Sequence, residues 1–315
     1  MNMKIRPIDI NFERSDVLLV CMSFEKERWK KYLLENSYKK YIIFYNEEFI
    51  NNYQDEMDFF HDKEKFIFVK TSISDPLNTI DNYIDYILDF ENSTMDLDCS
   101  TFTHEHLMII LKVLSHIKIN SSINLIYTSM KHYLTFQESG WLSKGVKEIR
   151  NIIGYSGNLL PSKKLHLILL VGLENERIQK IIQEYEPYKI SVGKGSFESS
   201  FTNELSKYND TLHEKVDKFT KNIISDLDNI DNFEFSCNNA ENTYKTLNKI
   251  INNNKEFNNV IIAANSKIST IGVAKIGLMN EDIQICYAQP IEYNTDNYTK
   301  TFNEFKFYEL SFIDE

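Results

Sequence analysis

The sequence predicts an α/β protein made of two tandem Rossmann-like units with mainly parallel sheets. Short continuous apolar runs, such as VLLVC (17–21) and LHLILLV (165–171), are typical of parallel strands buried on both faces. These runs alternate with segments whose apolar residues recur at helical spacing. The same order of strands and helices also occurs twice along the chain. Such alternation favours right-handed crossovers, which place helices on both faces of a parallel sheet.

The two halves share a sequence pattern near the start of each unit. SFEKERW begins at position 23 and GLENERI at position 172, each close behind one of the apolar runs. Both place a glutamate three residues before an arginine, Glu25 and Arg28 in the first stretch and Glu174 and Arg177 in the second. The elements that follow recur in the same order. Self-similarity of this kind predicts an internal duplication, with two units related by pseudo-twofold symmetry.

The repeat also predicts the domain boundaries. We expect a first unit at 1–139, a connecting helix and turn at 140–164, and a second unit at 165–315. The connector has amphipathic spacing and ends in the turn sequence GYSG. Within the second unit we expect a helical insertion at about 201–228 and a closing strand near 305–312 that pairs at a sheet edge.

The composition argues against several classes of function. With 46 Asp and Glu against 35 Lys and Arg, the formal net charge is −11, which disfavours a broad nucleic-acid surface. No apolar run is long enough to span a bilayer, and no secretion signal is recognisable near the N-terminus, so we expect no membrane association. The four cysteines lie far apart and indicate reduced, buried residues of a cytoplasmic protein. Neither they nor the HEH sequence at 104–106 has the spacing of a metal site.

Polar stretches follow the strands that would border a ligand crevice. In a doubly wound sheet of strand order 3-2-1-4-5, ligands bind beyond the carboxyl ends of the first and fourth strands. Helix N-termini at that edge offer N–H groups that suit an anion such as phosphate. The ligand-binding candidates after the fourth strands are Asp98, Ser100 and Thr101 in the first unit, and Asn265, Ser266, Lys267 and Ser269 in the second. The alternative is that these side chains only cap helices, which does not account for Lys267.

The repeated Glu/Arg pattern allows both a structural and a functional interpretation. The glutamate and arginine of each repeat can form an ion pair in the first helical turn, where acids also favour the helix dipole. Alternatively, both arginines turn toward the crevice and bind an anion. Tyr127 and Tyr287 lie at the ends of the last matching strands. Two interpretations apply to them, packing in the core and stacking on a base.

The two-unit plan and the loop that contains Lys267 resemble the tandem Rossmann-like sensors of prokaryotic antiviral systems, the CARF and SAVED families. The resemblance implies binding of cyclic or linear oligonucleotides across a cleft of two units. The first unit departs from this pattern, because it has DCSTFT where the second has NSKIST with its lysine. One of the two crevices would then be degenerate.

Three functions follow as alternatives. The first is a cytoplasmic binding module or sensor for a nucleotide-like or phosphorylated ligand, acting in antiviral defence with a partner protein. The second is an enzyme acting on a nucleotide or phosphorylated metabolite, with Asp98 or Glu25 as general acid–base and Lys267 or Arg177 as anion clamp. The third is a structural or antitoxin-like subunit that binds a partner chain. The sequence contains neither GxxxxGK nor GxGxxG, so it indicates no particular cofactor.

Overall fold

A computed structural model has a mixed α/β fold with largely parallel sheets, as the sequence predicts. The structure describes residues 2–9, 15–117, 122–133, 141–224, 226–296 and 299–313. The chain divides into two compact units. The first is formed by Met1–Tyr133 together with Tyr298–Glu315, and the second by Leu134–Asn297.

The strands and helices alternate along most of the chain. The strands are β1 (Asn2–Ile8), β2 (Val17–Met22), β3 (Lys40–Asn46), β4 (Phe66–Thr71), β5 (Met95–Asp98), β6 (Ile123–Tyr133), β7 (Ser143–Lys144), β8 (Glu148–Asn151), β9 (Leu165–Leu170), β10 (Lys189–Gly195), β11 (Ile230–Phe235), β12 (Asn258–Ala263), β13 (Gln284–Gln289), β14 (Glu292–Tyr293) and β15 (Thr299–Ile313). The helices are α1 (Lys26–Glu35), α2 (Gln54–Phe59), α3 (Pro76–Leu88), α4 (His104–His116), α5 (Asn175–Tyr185), α6 (Asn203–Ile223), α7 (Ala240–Asn252) and α8 (Lys267–Met279).

Each unit contains one large sheet with the same central order. The sheet of the first unit runs β1-β15-β6-β5-β2-β3-β4, and that of the second runs β11-β10-β9-β12-β13-β8. In each, five parallel strands follow the order 3-2-1-4-5, and an antiparallel strand pairs with the fifth. The reversal of strand order therefore lies between β2 and β5, and between β9 and β12. That the two units arose by duplication stays a prediction.

Helices cover these sheets through their apolar faces. In the first unit, Trp29 and Leu33 of α1 pack in one core cluster with Val20 of β2. In the second unit, Ile178 of α5 packs in a core cluster with Leu169 of β9. Every residue of β2 is buried, as expected for a strand covered on both faces.

The predicted connecting helix is wrong. Residues 134–140, where the first predicted boundary falls, lie outside the described residues. Beyond them the segment forms β7 and β8, and β8 pairs antiparallel with β13. Val146 and Ile149 still pack against the core of the second unit. Ile149 does so from β8, which is an edge strand, and Val146 from the residues just before it. Gly145 and Gly154, whose φ angles are positive, flank this segment, and pairing with β13 holds it as a strand although its apolar spacing also suits a helix.

The placement of the closing strand is also wrong. The strand near 305–312 exists as part of β15, but it belongs to the first unit and lies between β1 and β6, not at an edge. Its Phe305 and Phe307 contact the ring of Tyr32, which anchors it to α1. The helix expected at about 201–228 corresponds to α6, whose Leu212 and Val216 pack into the core of the second unit.

A buried polar cluster lies near the amino ends of three strands in the second unit. The His166 imidazole contacts the Asn259 amide oxygen through Nδ1 at 2.7 Å and the Ser191 hydroxyl through Nε2 at 2.8 Å. Burial lowers the pKa of the imidazole to about 4, although the hydrogen bond with Asn259 raises it in part. The cluster therefore holds a neutral imidazole in the folded unit.

We expect His166 to stay neutral in the folded protein down to about pH 4. The unfolded chain binds this proton near the ordinary pKa of 6.5, so the group reduces stability as pH falls from there toward 4. An NMR titration of the imidazole protons, assigned with His166→Asn, measures the value, and the same titration in urea is the control. A midpoint near 6.5 in the folded protein would contradict this expectation.

Candidate functional site

Arg28 lies buried at the carboxyl edge of the first sheet. It occupies the first turn of α1, and its Nη1 atom donates to both carboxylate oxygens of Glu25 at 3.2 and 3.3 Å. Its Nε atom donates to the Thr128 carbonyl oxygen at 3.3 Å. The side chains of Arg28 and Glu25 are only 5% and 7% exposed. Removing such an ion pair from water is costly, and it is stable only when further hydrogen bonds satisfy its members.

Neighbouring strands supply those further contacts. The Arg28 guanidinium carbon lies 5.6 Å from the centre of the Tyr127 ring, within range of a cation–π interaction. The Thr299 hydroxyl of β15 donates to Glu25 Oε1 at 2.8 Å. The pair thus joins α1 to β6 and β15. The sequence correctly suggests the ion pair from its spacing, and the structure adds Tyr127 as its partner.

The second unit repeats this arrangement. Arg177, in the first turn of α5, donates to Glu174, and its guanidinium carbon lies 4.8 Å from the centre of the Tyr287 ring. The hydroxyls of Tyr287 and Tyr293 are 3.0 Å apart. Glu174 also accepts a hydrogen bond from the Ser143 hydroxyl. In each unit, an arginine therefore contacts both a neighbouring glutamate and a tyrosine of the fifth strand.

Asp98 distinguishes the first unit from the second. It ends β5, beside β2 at the reversal of strand order, and is completely buried. Its Oδ1 atom accepts hydrogen bonds from the Ser100 amide, at 3.0 Å, and from the Ser100 hydroxyl. Its Oδ2 atom has no hydrogen-bond partner among the described residues. Burial raises the pKa of this carboxyl to about 7, while hydrogen bonds from Ser100 and the charge of Arg28 lower it in part.

A residue that is hydrogen-bonded to Ser100 carries a second unpaired atom. The Thr128 amide donates to the Ser100 hydroxyl at 2.8 Å, so Ser100 links Thr128 to Asp98. The Thr128 hydroxyl oxygen is buried and has no hydrogen-bond partner among the described residues. A buried polar atom that lacks a partner costs free energy, and such atoms call for an explanation in a native structure. Thr101 differs, since its hydroxyl donates to the Cys21 carbonyl oxygen at 2.5 Å.

The corresponding position of the second unit is apolar. Asp98 pairs with Val20 across the first sheet, and Ile262 holds the matching place beside Leu169. The backbone after β9 also lies close to the backbone after β12 at Gly172, because a Cβ atom there would lie 1.6 Å from the Ala264 carbonyl oxygen. The second crevice thus has no counterpart of the Asp98 carboxyl.

The polar residues after β12 serve the local fold. Ser266 is the N-cap of α8 and accepts from the Ser269 amide at 3.0 Å, while its own hydroxyl donates to the Cys237 carbonyl oxygen. Asn265 donates from its side chain to the Val171 carbonyl oxygen at 2.6 Å. These bonds match the capping interpretation of the segment. Lys267 begins α8 and is partly exposed.

Two contributors to the first site were not singled out from the sequence. Thr128 directly follows the candidate Tyr127, so inspection of both faces of that strand could have found it. Thr299 could not be found this way, because only the antiparallel pairing of β15 with β6 brings it to Glu25.

Other classes of site lack support in the described residues. Among them, no group of three His, Cys, Asp or Glu side chains is arranged to hold a metal ion. No helix that the structure describes is long and apolar enough to cross a membrane. No protein-family model matches the chain, and no curated protein has a significantly similar sequence.

We expect Asp98→Asn to stabilise the first unit at alkaline pH. The folded carboxyl binds its proton more tightly than the ordinary pKa of 3.8 allows, so the wild type loses stability as pH rises from about 4 to about 7. Asparagine resembles the protonated acid and removes this loss, by a few kcal/mol at about pH 8.

Urea titrations at several pH values measure this effect. Trp29 is buried in the first unit and gives the fluorescence signal, and Trp141→Phe removes the second tryptophan. The difference between Asp98→Asn and the parent should grow with pH and level off above about 7. A variant that is less stable than the parent at every pH would contradict the assignment.

Proposed function

We propose that this protein is a binding module for a nucleotide-like or phosphorylated ligand, with its site at the carboxyl ends of β2, β5 and β6. The observation that carries the proposal is the unpaired Oδ2 atom of Asp98, buried in the electrostatic field of Arg28. Thr128, whose backbone amide donates to the Ser100 hydroxyl, carries a second unpaired atom, its side-chain hydroxyl. In doubly wound sheets, ligands bind at this reversal of strand order.

The chemistry of these groups favours a ligand that combines donors with an anionic group. Ribose hydroxyls or a base amino group can donate to Asp98 and pair with Thr128. A phosphate matches the Arg28 guanidinium, which binds oxyanions through directed N–H groups. Because Arg28 is buried against Glu25, binding requires Glu25 to move aside and yield its place to the ligand anion. Tyr127 already lies against the guanidinium, which helps to hold Arg28 in place for the ligand.

The proposal assigns the ligand to the first unit, although the lysine of the CARF/SAVED-like pattern lies in the second. The second crevice carries Ile262 in place of the acid and is narrowed at Gly172. Its polar side chains are engaged in hydrogen bonds, Asn265 with the Val171 carbonyl oxygen and Ser266 with the Ser269 amide. These differences support one working site and one degenerate site.

An enzyme remains a second candidate function because of one observation. A carboxyl with a pKa of about 7 is suited to general acid–base catalysis near neutral pH, and Asp98 has such a pKa. In that case Arg28 would hold the anionic part of the substrate while Asp98 transfers a proton.

We propose a cytoplasmic location, which the four unpaired, buried cysteines support. A role in prokaryotic antiviral defence, together with a partner protein, rests on the resemblance to tandem Rossmann-like sensors. If no ligand binds, the favoured function is that of a structural or antitoxin-like subunit.

A thermal-shift screen against nucleotides, cyclic oligonucleotides and NAD tests the proposal. A ligand at about one hundred times its Kd adds roughly 2.7 kcal/mol of stability. The double variant Glu25→Gln/Arg28→Gln removes both charges together, which avoids leaving one buried charge uncompensated. We expect it to abolish the shift, whereas the matched double variant Glu174→Gln/Arg177→Gln in the second unit should retain it.

Circular dichroism first establishes that both double variants are folded. A shift that survives in Glu25→Gln/Arg28→Gln but disappears in Lys267→Ala would move the site to the second unit and refute the assignment. No shift with any compound, together with tight copurification of another protein, would favour the structural subunit. Turnover of the stabilising compound, measured by chromatography, would favour the enzyme over the binding module.

A further inference from the structure

Helix α3 of the first unit exposes a row of large apolar side chains. Its inner face is buried through Thr79, Tyr83 and Ile87. Its outer face carries Leu77, Ile84 and Leu88, which are 66%, 36% and 43% exposed. The first two are seven residues apart and the last two four residues apart. This spacing puts them on one side of the helix, where they form a stripe that we call the α3 stripe.

The fold itself does not require this stripe. Helix α7 of the second unit has the same length of 13 residues and the same place after its third strand. The two helices are held alike: the Thr79 hydroxyl donates to the Ser72 carbonyl oxygen at 3.0 Å, and the Thr243 hydroxyl to that of Ser236 at 2.7 Å. The positions of α7 that match the stripe are all polar: Glu241, Asn248 and Asn252.

Acidic side chains border the α3 stripe on one side. Asp81, Asp85 and Asp89 are exposed, and none of them forms an ion pair with another described residue. Helical geometry places Asp81 and Asp85 next to Ile84 and Leu88. The surface thus combines apolar area with three aspartates that form no ion pair in the described part of the chain.

We infer that the α3 stripe docks an amphipathic helix of a partner protein, with apolar residues along one face and Lys or Arg beside them. The apolar residues would cover the stripe, and the basic residues would pair with the three aspartates. The same charges oppose two other occupants. An anionic lipid surface and a second copy of the stripe would each bring negative charge against negative charge. This surface is separate from the Asp98 site, so it goes beyond the proposed function.

A peptide-binding assay on the full chain tests the inference. The probe is a fluorescent synthetic helix of leucine and lysine with its leucines on one face, and the control peptide carries glutamate in place of lysine. The variant Leu77→Glu/Ile84→Asn/Leu88→Asn gives the α3 stripe the side chains that α7 carries at these places. Because they replace exposed residues, we expect the variant to fold, which circular dichroism verifies.

Fluorescence anisotropy should report binding of the lysine peptide to the wild type and at least about ten-fold weaker binding to the triple variant. Asp81→Asn/Asp85→Asn should weaken binding and reduce its dependence on salt. The control variant Leu159→Asn/Leu160→Asn removes two exposed leucines of the second unit and should bind as the wild type does.

Three results would overturn the inference. The first is equal binding of the lysine peptide by the wild type and the triple variant. The second is equal binding of the lysine and glutamate peptides by the wild type. The third is a dimer in sedimentation experiments that the triple variant abolishes, because the occupant would then be a second copy of the chain. Since none of these readouts uses a nucleotide, they are independent of the Asp98 site.

Discussion

A buried ion pair between a glutamate and an arginine three residues apart closes the carboxyl edge of the sheet in each unit. Two charges can leave water at this position only because strand residues satisfy them. In the first unit these are the Thr128 carbonyl, the Thr299 hydroxyl and the Tyr127 ring. In this way the pair fixes the first helix of the unit against its fifth strand. The same constraint brings the polar groups at the reversal of strand order into one network.

Both units have this ion pair but differ in the residues near it. Asp98 and Thr128 leave buried polar atoms unpaired in the first unit, whereas Ile262 fills the corresponding place in the second. An unpaired buried carboxylate oxygen lowers stability, and its presence in one unit alone is the observation on which the proposed ligand site rests. The inference about the α3 stripe rests on the same kind of comparison, because the matching positions of α7 in the second unit are polar. Both functional proposals thus rest on differences between two units of the same strand order.

The sequence predicts the parts of this structure that depend on local pattern. Continuous apolar runs indicate the parallel strands, and the spacing of Glu25 and Arg28 indicates their ion pair. The connector is mispredicted because the spacing of Val146 and Ile149 suits a helix as well as an edge strand, and only pairing with β13 decides between them. The return of β15 to the first sheet depends on contacts with residues far away in sequence. The unpaired oxygen of Asp98 is likewise invisible in the sequence, since Asp98 could equally have been a helix cap.

The most direct test of the central claim is the titration of the Asp98 carboxyl carbon. Protein labelled with carbon-13 at its aspartate carboxyls is followed by NMR from acid to alkaline pH, and the Asp98 signal is assigned by its loss in Asp98→Asn. We predict a midpoint at about 7, which nucleotide binding at the Arg28 site displaces. A midpoint at or below the ordinary value of 3.8, unchanged by any nucleotide, would contradict the account.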